Sequence, residues 1–222
     1  MSNKKLIDDG FNADLVEKAL FDGILEIPYI PVDKIILPES LIPFTKRACT
    51  NTHDEFVHFY EHDIKFGPVI HNPEEFINDL KQYRGIISID ASLYRDMPLI
   101  LQITNIYISR AIAYYYYSKG IYVIPNVRWG DERTYTNSVL PEAVAFLGIP
   151  KNSIVSIGTY GCIRGEENRY HFKHGLEEML KVLTPKYVIV YGSMPPDIFD
   201  EYKLLTTFIR FDDWTKSRKG KS

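Results

Sequence analysis

The feature that most constrains the fold is a strand–helix–strand pattern between residues 85 and 131. An isoleucine-rich run at residues 86–89 stops at Asp90, and a second apolar run at residues 121–124 stops before Asn126. A long apolar segment between them predicts a helix over residues 97–118. Continuous β-branched runs are typical of parallel strands covered on both faces, and parallel strands need a crossover of this kind.

The same rhythm continues along the chain. Strand candidates begin near residues 86, 121, 154 and 187, roughly 33 residues apart, a spacing that fits a strand plus a crossover helix. The other predicted helices span residues 72–83, 139–147, 166–183 and 196–202. The other predicted strands span residues 34–37, 56–60 and 207–211. We therefore predict an α/β fold with six or seven parallel strands.

The boundaries of this domain follow from its flanks. Residues 34–214 form the predicted α/β domain. Residues 1–33 are an N-terminal arm, with a short helix over residues 12–21 capped by Asn12 and a proline-interrupted extended segment after it. Residues 215–222 form a basic tail that we expect to be disordered, because four of its last seven residues are Lys or Arg.

Composition excludes several classes of protein. The formal net charge of −3 rules out a strongly basic nucleic-acid coat, so we expect no nucleic-acid partner. The two cysteines, Cys49 and Cys162, lie far apart and indicate a reducing compartment rather than a disulfide framework. The most apolar segment contains Arg110 and other polar residues, which favours a buried helix over a membrane span. We expect a cytoplasmic protein.

Two architectures remain, an open doubly wound sheet and a (β/α) barrel that could be incomplete. In an open sheet mainly the strands at the switch point contact a ligand, whereas in a barrel every strand end faces one mouth. Each strong strand candidate here is followed by polar or aromatic residues: Asp90, Asn126 with Arg128, Thr159, Tyr191 with Ser193, and Asp212 with Asp213. This distribution favours the barrel-like arrangement.

The strand ends are the predicted site, holding a small polar ligand that carries a phosphate or a sugar. Asp90 and Asp131 are the candidate catalytic carboxylates, since such groups act as general bases or bind Mg²⁺ for hydrolysis or phosphoryl chemistry. Arginine can bind a phosphate and tryptophan can stack on a ring. The candidate ligand-binding residues are Ser92, Tyr94, Asn126, Arg128, Trp129, Thr159, Tyr191 and Ser193.

Structural explanations compete with each of these roles. Asp90 could cap a turn or pair with Arg95 or Arg128, and Arg128 could instead pair with Asp131. The glycine-rich loop over residues 158–165 could hold an anion but matches no nucleotide-binding pattern, and a turn with positive φ explains its glycines. The histidines before residue 72 show no recognised zinc spacing.

Several spaced motifs carry a family resemblance over roughly residues 40–212. They are Asp90-Ala-Ser-Leu-Tyr94, Val123-Ile-Pro-Asn-Val-Arg-Trp-Gly-Asp131 and Gly158-Thr-Tyr-Gly161. Together they resemble a family of uncharacterised proteins carried by bacteriophages and integrative mobile elements, in which the first motif more often reads Asp-Phe-Ser, where this chain has Ala91. The resemblance implies a mobile-element context and transfers no catalytic residue. It leaves open a non-catalytic protein that sequesters a host metabolite, nucleotide signal or host protein. A DNA-associated role fits the acidic balance poorly.

Overall fold

The computed structural model describes residues 12–49 and 52–214. Its strands in chain order are β1 (Phe21–Asp22), β2 (Ile27–Pro28), β3 (Leu41–Pro43), β4 (Phe56–His58), β5 (Gly85–Ile87), β6 (Val123–Ile124), β7 (Ile154–Gly158), β8 (Tyr187–Tyr191) and β9 (Thr207–Phe211). Its α-helices are α1 (Asp63–His71), α2 (Ile77–Leu80), α3 (Leu99–Ser118), α4 (Glu132–Tyr135), α5 (Glu166–Leu183) and α6 (Pro196–Phe199). Its 3₁₀ turns are Ala13–Leu15, Phe44–Cys49, Pro73–Phe76, Val144–Phe146 and Asp200–Tyr202.

The parallel strands follow one another in chain order. β3, β4, β5 and β6 form one parallel sheet and β7, β8 and β9 form a second, while β1 and β2 form a separate antiparallel hairpin. A parallel bridge between Asn126 and Ser156 joins the two sheets, with Val127 N donating to Ser156 O at 2.8 Å. The predicted α/β fold with parallel strands is confirmed.

This run of strands is strongly curled. His58 in β4 and Tyr191 in β8 are four strand positions apart, which in a flat sheet corresponds to about 19 Å. Their ring centroids are 4.2 Å apart, so the side chains meet on the concave side. The strand order lacks the reversal of a doubly wound sheet. No ladder joins β9 to β3 in the described residues, and closure into a barrel stays a prediction.

The concave side is filled by one residue or more from each parallel strand. The fully buried members of this cluster are Phe56, Ile87, Ile124, Ile154 and Ile189, and Leu41 and Ile209 pack against them. The convex side is covered by helices. The apolar face of α5 is buried there as its spacing predicts, through Phe172, Leu176, Met179, Leu180 and Leu183.

Three predicted elements are wrong. Residues 34–37 form no strand: Ile36 N donates to the Tyr122 hydroxyl at 3.0 Å, and that hydroxyl donates to Lys34 O at 2.9 Å. A side chain thus takes the place of a neighbouring strand. Asn12 does cap a turn, but the turn is only Ala13–Leu15 because the chain enters the β1 hairpin at Phe21.

The third is the helix predicted over residues 139–147. Only Val144–Phe146 is helical there, as a 3₁₀ turn that follows Pro141. The opposite error concerns α1, which the sequence analysis missed. That helix contains Gly67 and Pro68, residues that normally argue against a helix interior.

Cys49 and Cys162 are both free thiols, in agreement with the absence of a disulfide framework. Among the described residues, no helix has the length and apolarity needed to cross a membrane.

Candidate functional site

A cavity of about 830 Å³ lies at the carboxyl ends of the parallel strands. All seven parallel strands bring residues to its wall, either from the strand end or from the loop that follows. One residue for each strand, from β3 to β9, is Pro43, Tyr60, Asp90, Arg128, Gly158, Tyr191 and Asp213. This convergence on one mouth was predicted from the polar residues after the strands.

A buried ion pair stands at the centre of the cavity wall. Asp90 Oδ2 accepts from Arg128 Nη1 at 2.7 Å, and Asp90 Oδ1 accepts from Asn126 Nδ2 at 2.8 Å. The two charged side chains are 10% and 19% exposed. Burial alone would lower the pKa of Arg128, but the Asp90 carboxylate outweighs it and the pKa is raised. Arg128 Nε is buried and has no hydrogen-bond partner among the described residues.

Asn126 is held from three sides behind this pair. Its Oδ1 accepts from the Tyr60 hydroxyl at 2.9 Å, and its backbone N–H donates to Ser88 Oγ at 2.8 Å. Its carbonyl accepts from Arg110 Nη1 at 2.9 Å. These contacts fix the amide so that its N–H₂ faces Asp90. Arg110, buried in α3, also donates to the carbonyls of Ala145 and Leu147, which replaces the carboxylate partner expected of a buried cation.

An aromatic layer forms the floor beside this network. The rings of Tyr60 and Tyr191 stack with centroids 5.0 Å apart and an interplanar angle of 8°. His58 packs against Tyr191, and its Nδ1 accepts from Tyr60 N at 3.2 Å, while its buried Nε2 has no partner among the described residues. Burial lowers the pKa of His58 to about 3, so the imidazole is neutral at ordinary pH.

Ser92 and Tyr94 occupy the rim near α1. Ser92 N and Oγ donate to the two Asp63 carboxylate oxygens at 3.0 and 2.8 Å. The Tyr94 hydroxyl donates to Ser92 Oγ at 3.3 Å, and the Tyr94 ring is more than half exposed. Ser92 therefore anchors the loop after β5, whereas Tyr94 presents a ring to the mouth, as Tyr160 does from the loop after β7.

Asp131 does not line the cavity, and its carboxylate contacts α4. It caps α4 by accepting from Arg133 N at 3.0 Å, and it pairs with Arg133 Nε and Nη2 at 2.9 and 2.6 Å. Burial acts to raise the pKa of Asp131, but the hydrogen bonds from Arg133 prevail and lower it. The alternative Arg128–Asp131 pair is thus replaced by two separate pairs.

Of the remaining predicted residues, Trp129 lines the cavity, whereas Thr159 and Ser193 do not. Trp129 lines the cavity and donates from Nε1 to His171 O at 3.1 Å. Thr159 is buried, and its hydroxyl donates to Tyr191 O at 3.3 Å. Ser193 is exposed away from the cavity. The predicted residues that line the wall are Asp90, Ser92, Tyr94, Arg128, Trp129 and Tyr191.

Sequence comparison places the chain in a family. Residues 19–212 match a family described as a domain of unknown function, DUF4417. The chain belongs to this family. It is 30% identical over 138 residues to the Gene 1 protein of Mycobacterium phage L5, a match that covers 62% of this chain and 57% of the relative.

The Gene 1 protein of Mycobacterium phage D29 is also 30% identical over 138 residues, which cover 62% of this chain and 48% of that protein. The chain spans about half the length of these curated relatives. No solved structure matches it. The resemblance to phage proteins of unknown activity, predicted from the motifs, is confirmed for this DUF4417 chain.

The DUF4417 cavity is also lined by Tyr60, Cys162 and His171, which are not among the predicted site residues. Tyr60 continues the alternation of Phe56 and His58 along β4, and that pattern could have identified it. His171 lies on α5 and gave no signal beyond its residue type. Cys162 lines the cavity, but burial raises the pKa of its thiol despite the nearby Arg128 guanidinium, which argues against a thiolate nucleophile.

Metal binding by the DUF4417 chain was left open by the sequence. Across residues 12–49 and 52–214, no group of three or more His, Cys, Asp or Glu side chains is arranged to hold a metal ion. A magnesium ion in a phosphate site often uses only one or two carboxylates together with the phosphates of the ligand. Mg²⁺ at Asp90 therefore stays a prediction.

Proposed function

We propose that this phage-type protein binds a small polar ligand, bearing a phosphate or a sugar, in the cavity at the strand ends, and that it acts in the host cytoplasm. The observation that carries the proposal is the convergence of all seven parallel strands on one cavity whose wall holds the Asp90–Arg128 pair. Its volume of about 830 Å³ lies within the range of small-molecule sites.

The ion pair supports ligand binding better than it supports stability. Burying two charges costs several kcal/mol of desolvation, and apolar replacements of such pairs are often neutral or stabilising. The unpartnered Arg128 Nε adds to this cost, since a buried donor without an acceptor is destabilising. A ligand phosphate that accepts from the exposed part of the guanidinium would add a charge-assisted hydrogen bond and offset this cost.

The rest of the wall fits a ligand with both charge and a ring. Lys46 and Lys65 line the same cavity as Arg128, together with the carboxylates of Glu61, Asp96 and Asp213, so the wall offers charged partners of both signs. Tyr94 and Tyr160 are exposed at the mouth, where their rings can cover the face of a sugar or a base. This combination supports sugar phosphates and nucleotides over uncharged metabolites.

In the hydrolytic version of the proposal, a phosphate draws the Arg128 guanidinium towards itself and leaves Asp90 to accept a proton. The second candidate is a sequestering protein without turnover. The two occupied oxygens of Asp90 favour it, because one accepts from Asn126 and the other from Arg128.

A thermal-shift screen tests the proposal with sugar phosphates, nucleotides and cyclic nucleotides, each with and without Mg²⁺. A ligand at a hundred times its Kd adds about 2.7 kcal/mol, which raises Tm by a few degrees. Arg128→Lys keeps the charge but loses the planar fork, so we expect the shift to be lost. The matched control is Arg169→Lys, which alters a surface pair with Asp197 and should keep the shift.

The outcomes separate the candidates. A shift that Arg128→Lys leaves intact, or no shift with any compound, contradicts the proposal. Chromatography of the bound compound after incubation then distinguishes hydrolysis, which consumes it, from sequestration, which returns it unchanged.

A further inference from the structure

His171 stands in the cavity wall with one ring nitrogen already held. Its Nδ1 lies 3.0 Å from the Tyr135 hydroxyl and 3.4 Å from Glu132 Oε2, both on α4. The side chain is 15% exposed, and the residue lines the cavity. Its backbone carbonyl accepts from Trp129 Nε1, so the start of α5 is tied to the loop that carries Arg128.

The other ring nitrogen, Nε2, has no hydrogen-bond partner among the described residues, and it is not among their buried unpaired atoms. Since the ring borders the cavity, this nitrogen is the one available to a ligand. With its proton on Nδ1, directed at Glu132 and Tyr135, the ring has a lone pair on Nε2. An imidazole oriented from behind by a carboxylate is a recurring arrangement in proton transfer.

We propose that His171 exchanges a proton through Nε2 with a phosphate oxygen of the bound ligand, an inference that rests on the proposed function. A phosphate monoanion that reaches Nε2 transfers its proton there and becomes a dianion. The imidazolium that forms keeps its Nδ1 proton directed at Glu132 and Tyr135. No bond other than the O–H bond of the phosphate is broken, and no further reactant is needed.

The groups facing the ring are few. From α4 they are Glu132 and Tyr135, and from α5 it is Tyr170. His174 provides a matched control, because it lies one turn further along α5, outside the cavity wall. Its Nδ1 contacts Tyr170 O at 2.9 Å instead of a carboxylate.

The test is nitrogen NMR of the histidine-labelled full chain, titrated with inorganic phosphate near neutral pH. The variants His171→Gln and His174→Gln assign the two resonances. In the free protein we expect His171 to show a protonated Nδ1 and an unprotonated Nε2. Phosphate should protonate Nε2 of His171 and leave His174 unchanged. Glu132→Gln should weaken the preference for the Nδ1 proton.

Thermal shift by phosphate, measured in parallel on the wild type and Arg128→Lys, separates this inference from the proposed function. If phosphate stabilises the protein through Arg128 while the His171 resonances do not move, the inference is wrong and the binding proposal stands. A free protein whose His171 proton sits on Nε2 also overturns the inference. If phosphate moves neither Tm nor the His171 resonances, the inference fails, and the screen with sugar phosphates and nucleotides decides the binding proposal.

Discussion

The contacts of Asp90 determine how much its replacement would destabilise the folded protein. A carboxylate free at a strand end could become asparagine with little effect on folding. Asp90 instead neutralises Arg128 at 2.7 Å and orients Asn126, and both partners are largely withdrawn from water. Removing one member of a buried pair leaves an uncompensated charge, whereas removing both does not.

Asp90→Asn should therefore lower the free energy of unfolding by about 3 kcal/mol, the low end for a buried pair because both side chains keep some exposure. The double variant with Arg128→Met should recover much of the loss. Urea unfolding of the single and double variants measures the coupling. Asp197→Asn, at an exposed pair, should have a much smaller effect. Equal losses at Asp90 and Asp197 would show that Asp90→Asn leaves no uncompensated buried charge on Arg128.

His58 should make the protein sensitive to acid. Burial holds the pKa of His58 at about 3 in the folded chain, against about 6.5 when unfolded. Between these values the unfolded chain binds the extra proton, so stability falls as pH falls, by up to about 1.4 kcal/mol per pH unit.

Urea unfolding at pH 7 and pH 5 checks this prediction. The wild type should lose about 2 kcal/mol more than His58→Phe over this interval. A His58→Phe variant with the wild-type pH dependence would show that another group is responsible.

At the scale of elements, length decided what the sequence could predict. α3 and α5 were predicted within two residues at each end because long apolar periodicity averages over local exceptions. The missed elements are short or contain helix breakers, as α1 does with Gly67 and Pro68. Tertiary contacts, such as the Tyr122 hydroxyl beside residues 34–37, decided their conformation.

The glycine in the middle of α5 is required by packing. A Cβ on Gly175 would lie 2.2 Å from Trp129 Nε1, the atom that donates to His171 O. Gly175→Ala should thus cost about 1–3 kcal/mol, although alanine is the better helix former. Gly67→Ala in α1 is the control: its Cβ meets nothing within 4 Å, and it should be neutral or stabilising. Thermal unfolding of both variants measures the difference, and a stabilised Gly175→Ala variant would contradict this packing argument.

At the scale of the whole molecule, the position of the cavity could be predicted from the sequence better than the residues that line it. Polar residues after each strand indicated the mouth, because parallel strands share one carboxyl edge. Which residues face the cavity depends on partners that no local pattern reveals. Asp131 pairs with Arg133, and the Thr159 hydroxyl donates to Tyr191 O. His171 lines the cavity from helix α5.

The junction between the two parallel sheets, at Asn126 and Ser156, should open more readily than the sheet of β7, β8 and β9. β8 pairs along all five residues with both β7 and β9, while β6 and β7 meet through a single bridge at Asn126 and Ser156. Hydrogen exchange should show the slowest amides at Val188, Ile189 and Val190, and faster exchange at Val127 and Ser156. A bound ligand should slow exchange mainly at these last two. Uniform protection of the amides across the molecule would contradict this prediction.

The sequential order of the parallel strands has a consequence for biosynthesis. Each strand from β4 to β9 pairs with, or is bridged to, the strand that precedes it in the chain. Sequence separation between partners is therefore as short as parallel pairing allows, which lowers contact order and the entropy lost on closing each loop. A nascent chain leaving the ribosome can add one strand–helix unit at a time, and each new unit covers the edge that the previous one had left open.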